Sequence, residues 1–348
     1  MLIRTTAHRF LFIHRLARWG QLAVAALLLS VLVACSAFQK AVPTAPHLLV
    51  SGLTGSYGST IGPDGALYVT VTLDGTIRRV DPKTGAVTTF AHGLPTPFKP
   101  EDGVGVVDVA FVGQTPYALV TLVGPDYGGN SKVGIYRMDG QGSFTLFADI
   151  GAFSLAHPPK PKFFVPTGVQ QALEPFRGGF LVTDAHHNRV LQVTKDGEVS
   201  ELLALENIVP TGLAVSGDTV YVAEAGPIPH LPKDGKVVAF HPGDSAATQV
   251  AAGARLLVDL KFGPGQSLFA LAQGFWAGAE AGTPANPNTG SLVRMDGKGS
   301  FTVVASPLDR PTSMEIIGTT AYVVTLGGEV WTVDRIDSPP YGTSSSVY

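Results

Sequence analysis

The chain has 348 residues, 45% of them hydrophobic and 15% charged, which is enough apolar material for a sizeable core and excludes disorder as the main state. The formal charge is −3; residues 1–34 hold Arg4, Arg9, Arg15 and Arg18 and no acid, so the remainder carries 20 basic against 27 acidic groups, about −7. A mildly acidic body without clustered Lys and Arg excludes nucleic acid as a partner, because phosphate contacts need such clusters.

The first 18 residues are basic and lead into an uncharged run from Leu22 to Ala34 that ends at small residues. This is the pattern of a secretory signal over residues 1–34. The run is 13 residues long, and crossing a bilayer takes about 20, so it reads as a signal rather than a permanent span. Leu32-Val33-Ala34-Cys35 resembles the bacterial lipobox, which implies cleavage before Cys35 and lipid on its sulfur. Acyl chains contribute about 0.8 kcal/mol per buried methylene, so two or three on one cysteine anchor stably. Cys35 is the only cysteine, which excludes an internal disulfide. Residues 35–46 read as a short tether.

From about residue 47 the chain repeats itself every 48 residues or so, and such a period decides the fold. The first unit runs Gly58–Thr72, Gly75–Asp81 and Gly85–Phe90, short β-rich runs separated by Gly, Pro and Asp turns. The second holds Val107–Phe111, Tyr117–Thr121, Gly134–Met138 and Phe144–Phe147; the third, Pro166–Val169, Gly179–Asp184, Arg189–Val193 and Val199–Leu203. The fourth, fifth and sixth follow with the same spacing, through Val220–Glu224, Ser267–Leu271 and Ala321–Thr325. The sixth lacks its outermost strand, and His47–Leu53 looks like the outer strands of the others. The expected fold is all-β: a six-bladed β-propeller over residues 47–335, closed by an N-terminal strand in the last blade, with a tail from 336 to 348. Ring closure protects open sheet edges.

Strands A to D of a blade run from axis to rim, so A–B and C–D turns share one face and B–C and D–A connections the other. Gly62-Pro-Asp-Gly65, Asp139-Gly-Gln-Gly-Ser143 and their equivalents are tight. The long connections, 95–105, 124–132, 151–165, 226–234 and 274–289, all fall on the second face. Binding groups concentrate on loops held by rigid scaffolds, so that face is the expected binding surface, with Phe98, Tyr127, Phe153, Phe163, Phe164, Phe275 and Trp276 walling a partly apolar cleft. A simple cover over the propeller mouth is the alternative.

Polar groups at A-strand starts and B-strand ends are expected around the axis: Asp108, Thr167, Asp184, Thr211, Glu224, Asp259, Gln273, Thr312 and Thr325. Asp108, Asp184, Glu224 and Asp259 are hard oxygen donors of the kind that suits calcium, and they are the metal candidates; hydrated channel groups are the plainer reading. Thr167, Thr211, Gln273 and Trp276 are the ligand-face candidates. Adjacent His186 and His187 read as turn residues. No nucleophile elbow, helical His pair or phosphate loop is present in the sequence, so no catalytic residue and no cofactor other than calcium is assigned.

Pro166-Thr-Gly168, Pro210-Thr-Gly212 and Gly62-Pro-Asp-Gly-Ala-Leu-Tyr-Val69 resemble NHL-like propellers, and the arrangement over about residues 47–335 is similar to the ScyD/ScyE family. That resemblance implies an exported propeller and no particular reaction. The chain also resembles the regucalcin-like lactonases, which implies a metal on axial acidic and amide ligands; where those enzymes open the first blade with Glu, this chain has Gly58-Ser59-Thr60. Two functions stay open. One is an envelope-anchored binding or scaffold module, monomeric, that takes a small molecule, glycan or protein on its long-loop face. The other is a metal-assisted hydrolase or lactonase using Asp108, Asp184, Glu224 and Asp259. A quinone-dependent sugar dehydrogenase is a third, without the basic cofactor pocket it needs.

Overall fold

A computed structural model describes residues 45–99, 103–278, 280 and 282–339. The segment expected to be a signal, Cys35, most of the expected tether and the end of the expected tail lie outside the described residues.

Six four-stranded antiparallel sheets form the ring. The innermost (A) strands are Ser56–Ile61, Gly105–Val112, Gln170–Phe176, Pro210–Ser216, Leu257–Phe262 and Pro311–Ile317. The B strands beside them, such as Leu67–Val71 and Leu268–Ala272, are buried along their whole length. They are sandwiched between neighbouring blades, so both faces are apolar and the two-residue alternation is lost. A rim strand such as Ser143–Ala148 keeps it at its start, with Ser143 and Thr145 exposed and Phe144 and Leu146 half-buried, because one face there meets water. Apolar packing among the described residues is divided into six main clusters, each joining two adjacent blades, and a small seventh around Ala225, Leu256 and Ala285. The core is therefore a set of spokes, and the axis is left to polar groups.

Two local features fix what reaches that axis. Every A–B ladder shifts register within the first half of its A strand; a β-bulge sharpens twist and re-aims the following side chain. Adjacent A strands also approach closely enough that a Cβ on Gly58 would lie 2.3 Å from the Val107 carbonyl oxygen, and one on Gly212 2.6 Å from the Asp259 Cα. Only glycine fits there.

The ring closes as the sequence implies. His47–Val50 pairs antiparallel with Val330–Val333 as the outer strand of blade six. His47 lies opposite Thr332, and shortly beyond, Ile336 N–H donates to the Thr319 carbonyl in an A–B turn. At the other end of the closing strand, Leu53 N–H donates to the Gly328 carbonyl in a B–C turn. Both ends of the ring's chain thus meet it on the tight-turn face, opposite the long loops.

The 151–165 insertion begins with a feature absent from the sequence reading, a two-turn helix over Ile150–Ala156, N-capped by Asp149, whose carboxylate accepts from Ala152 N–H.

Candidate functional site

Along the axis the bulged A strands bring Asp108, Asp259 and Thr312, with Gln273 from the end of a B strand, around a space of only about 30 Å³, room for about one water. Tyr57 of blade one donates to Gln171 Oε1 of blade three at 2.8 Å, and Ser59 and Ser313 hydroxyls meet at 2.8 Å. The middle of the channel is filled by its own side chains. Burial pushes the Tyr57 phenol up to about 12, so it stays a hydrogen-bond donor.

The axial aspartates act as inter-blade brackets. Asp108 accepts from Val109 N–H on its own strand and, with the other oxygen, from Leu173 N–H of the next blade at 2.8 Å. Asp259, halfway round the ring, repeats this with Leu260 and Met314, both at 2.8 Å. Desolvation raises the pKa of both, well above the usual carboxylate range for Asp108, against the lowering effects of Lys261 and the two amides.

Beyond the constriction, at the tight-turn mouth, a cavity of about 320 Å³ is lined by Glu174, Lys261 and Glu315 with Ile61, Phe111 and Phe262. Sequence reading missed this trio. Lys261 Nζ lies 3.2 Å from Glu315 Oε1 and 3.9 Å from Glu174 Oε2. The 3.2 Å contact is an ion pair rather than a well-directed hydrogen bond, since Glu315 Oε1 has no hydrogen-bond partner among the described residues. Burial raises Glu174 and lifts Glu315 to about 7, with Lys261 pulling the other way. Burial alone would lower the Lys261 ammonium, but the pull of Glu315, Asp259, Glu174 and Asp108 carries it well above its ordinary value. The axial cation is therefore supplied by the chain itself. The axial aspartates are already engaged: both oxygens of Asp108 and of Asp259 accept backbone N–H groups, and Lys261 brings positive charge among them. Among the described residues no three of His, Cys, Asp and Glu come together as a metal-holding group.

Asp184 and Glu224, the other two metal candidates, are not among the groups lining the axis. Asp184, fully buried at the end of its B strand, pairs with Arg189 Nε at 3.2 Å, lies 3.0 Å from His187 Nδ1, and accepts from Val169 N–H. Arg189, 1% exposed, is the hub beneath the long loops. Its Nη1 donates to the His157 carbonyl and its Nη2 to Ser154 Oγ on the 150–156 helix, while its guanidinium lies 5.5 Å from the Phe153 ring centroid. His187 Nε2 donates to the Val165 carbonyl, and His186 Nε2 accepts from Val165 N–H. Burial and the neighbouring His187 lower the His186 pKa, which favours the neutral acceptor. Both histidines are turn residues, tying the 151–165 connection to blade three. Glu224 is different: it is 1% exposed, neither oxygen has a hydrogen-bond partner among the described residues, and burial raises its pKa to about 7 against the lowering effect of Lys236.

The four ligand-face candidates are used internally. Thr167 donates to Asp126 Oδ2 at 2.6 Å, which pins one long loop to the next blade. Thr211 donates to the Leu257 carbonyl at 2.8 Å. Gln273 accepts from Ala285 N–H, and Trp276 donates to Thr283 Oγ1. These residues build the loops.

What the loops present is apolar. Eight large hydrophobics are exposed among the described residues, and six of them, Leu73, Phe98, Leu155, Phe164, Ile228 and Phe275, sit on B–C or D–A connections; Phe164 is 81% exposed. They come from five connections around one face of the ring. Single exposed apolar residues need no explanation, but six of the eight share one face of the ring.

A six-bladed propeller with a self-neutralised axis and a one-sided loop face is the class that the fold and site define. No protein-family model matches this chain, and no curated protein matches it. Among solved structures the chain is similar to a gluconolactonase from Xanthomonas campestris, at 15% identity over 83% of this chain and 89% of that one, with a TM-score of 0.58. It is similar to a PQQ-bound aldose sugar dehydrogenase from Streptomyces coelicolor at 17% identity over 84% and 99%, TM-score 0.56, and to virginiamycin B lyase from Staphylococcus aureus at 14% over 83% and 98%, TM-score 0.51. At these identities the likenesses show the fold alone.

Proposed function

We propose that the chain is an exported, lipid-anchored binding module that meets a small molecule, glycan or protein on its long-loop face. The observation that carries this is the gathering of six exposed hydrophobics on that face, over loops pinned by internal hydrogen bonds. Loops fixed before binding lose little entropy on contact. The lipobox ending at Cys35 supports the anchor, and the resemblance to the ScyD/ScyE family supports export without assigning a reaction.

The second reading is a metal-assisted hydrolase or lactonase of regucalcin type. The likeness to the Xanthomonas gluconolactonase and the axial carboxylates support it. Against it, Asp108 and Asp259 bracket backbone amides, and Asp184 and Glu224 lie elsewhere. The test is to screen full-length protein in detergent against arrays of glycans, metabolites and peptides. Hits weakened by Phe98→Ser or Phe275→Ser are the expected result. Calcium-dependent turnover of an aldonolactone, abolished by Asp259→Ala and indifferent to both loop variants, would overturn it.

A further inference from the structure

One sector of the long-loop face differs from the rest in charge as well as in exposure. The connection from blade two to blade three carries exposed Leu155, Lys160, Lys162 and Phe164 within ten residues and no acid. Neither lysine has an acidic partner among the described residues. The acids that touch this region are already engaged: Asp126 holds Thr167, Asp149 caps the 150–156 helix and pairs with Lys132, and Glu201 faces Arg189. The arm is held at its helix by Arg189, through Ser154 and the His157 carbonyl, and past Phe164 by His186 and His187 on both sides of the Val165 peptide. It is thus a fixed display of two uncompensated positive charges between two exposed apolar anchors.

We propose that this arm is the docking surface for an acidic polypeptide segment, with its apolar side chains received by Leu155 and Phe164 and its carboxylates by Lys160 and Lys162. This rests on the reading of the long-loop face as the binding face and names the class of partner. Charge complementarity selects the sign of that partner. The described chain enters the ring at His47 on the tight-turn face, opposite the arm, so an anchor at Cys35, as proposed above, would join from the far side and leave the arm to a protein partner.

Full-length protein in detergent is titrated with two short fluorescent peptides, one alternating Glu with Phe and Leu, the other with Lys in place of Glu, and separately with phosphatidylglycerol vesicles. The acidic peptide is expected to bind about ten-fold or more tightly than the basic one, weakening with salt as exposed charge pairs do. Lys160→Glu with Lys162→Glu reverses the preference, and Phe164→Ser weakens both. These positions are exposed, so unchanged thermal melts are expected to confirm intact folding. Equal binding of the two peptides, or a preference untouched by charge reversal, overturns the proposal. So does capture of the vesicles alone, lost on charge reversal. If arm variants change nothing but Phe275→Ser abolishes binding, this inference fails and the loop-face reading stands; if neither region matters, both fail.

Discussion

Replacing Glu224 by Gln removes a charge the ring cannot accommodate. Glu224 is 1% exposed with both oxygens unpartnered among the described residues, and burial lifts its pKa from 4.5 to about 7. A carboxyl that is harder to ionise when folded holds its proton after the unfolded chain has released it. Between pH 4.5 and 7 the folded state therefore binds more protons, and stability falls as pH rises, levelling off above the folded pKa. At about 1.4 kcal/mol per pKa unit, the penalty by pH 8 is on the order of 3 kcal/mol. Glutamine has nearly the same shape and is as unpartnered as the neutral acid, so Glu224→Gln is expected to match the parent near pH 4.5 and to exceed it at pH 8. For a domain of this size the gain corresponds to roughly 5–10 °C in Tm. Thermal melts of both proteins from pH 4.5 to 8 read the difference directly and cancel contributions from every other titrating group. A difference independent of pH, or one that shrinks as pH rises, refutes the reasoning.

Arg189→Met strands the buried Asp184 carboxylate and releases Ser154 and the His157 carbonyl; a cost of about 3–5 kcal/mol and faster proteolysis within 150–167 are expected in limited digestion, and unchanged digestion would show that the hub does not hold the loop. Asp259→Ala leaves the Met314 and Leu260 amides unpaired and is expected to cost about 1–3 kcal/mol in denaturant unfolding; combined with Asp108→Ala, the losses should depart from additivity, because both carboxylates act on Lys261. Gly85→Ala places a Cβ 2.6 Å from the Leu49 carbonyl oxygen at φ +71°, so hydrogen exchange should quicken in His47–Val50 before the rest of the ring.

The ring and its closure are legible in the sequence because each blade repeats the same turn chemistry. Gly62-Pro-Asp-Gly65 and Asp81-Pro-Lys-Thr-Gly85 mark the tight face, and the leftover strand at His47 has one free place to go. The face carrying the long loops follows from their lengths alone. The axial site is less legible. Placing polar groups at A-strand starts and B-strand ends finds Asp108 and Asp259, but Glu174, Lys261 and Glu315 lie past the bulges, on strands from three different units, and a one-residue register shift decides which side chains face inward. The same reasoning puts Asp184 on the axis, whereas Arg189 five residues later draws its carboxylate under the 150–156 helix. Asp149, preceding an apolar stretch, was the available signal for that helix. For Arg189 the available signal was an arginine at the start of an otherwise apolar strand.

The central claim is that this propeller works through one face of loops. Hydrogen exchange of the full-length protein with and without a ligand recovered from the array screen tests it most directly. Protection concentrated in 97–99, 124–132, 151–167, 226–234 and 274–289, with the tight turns at 62–65, 81–85 and 296–300 unchanged, is the predicted result. Protection confined to those tight turns and to Glu174, Lys261 and Glu315 would contradict it.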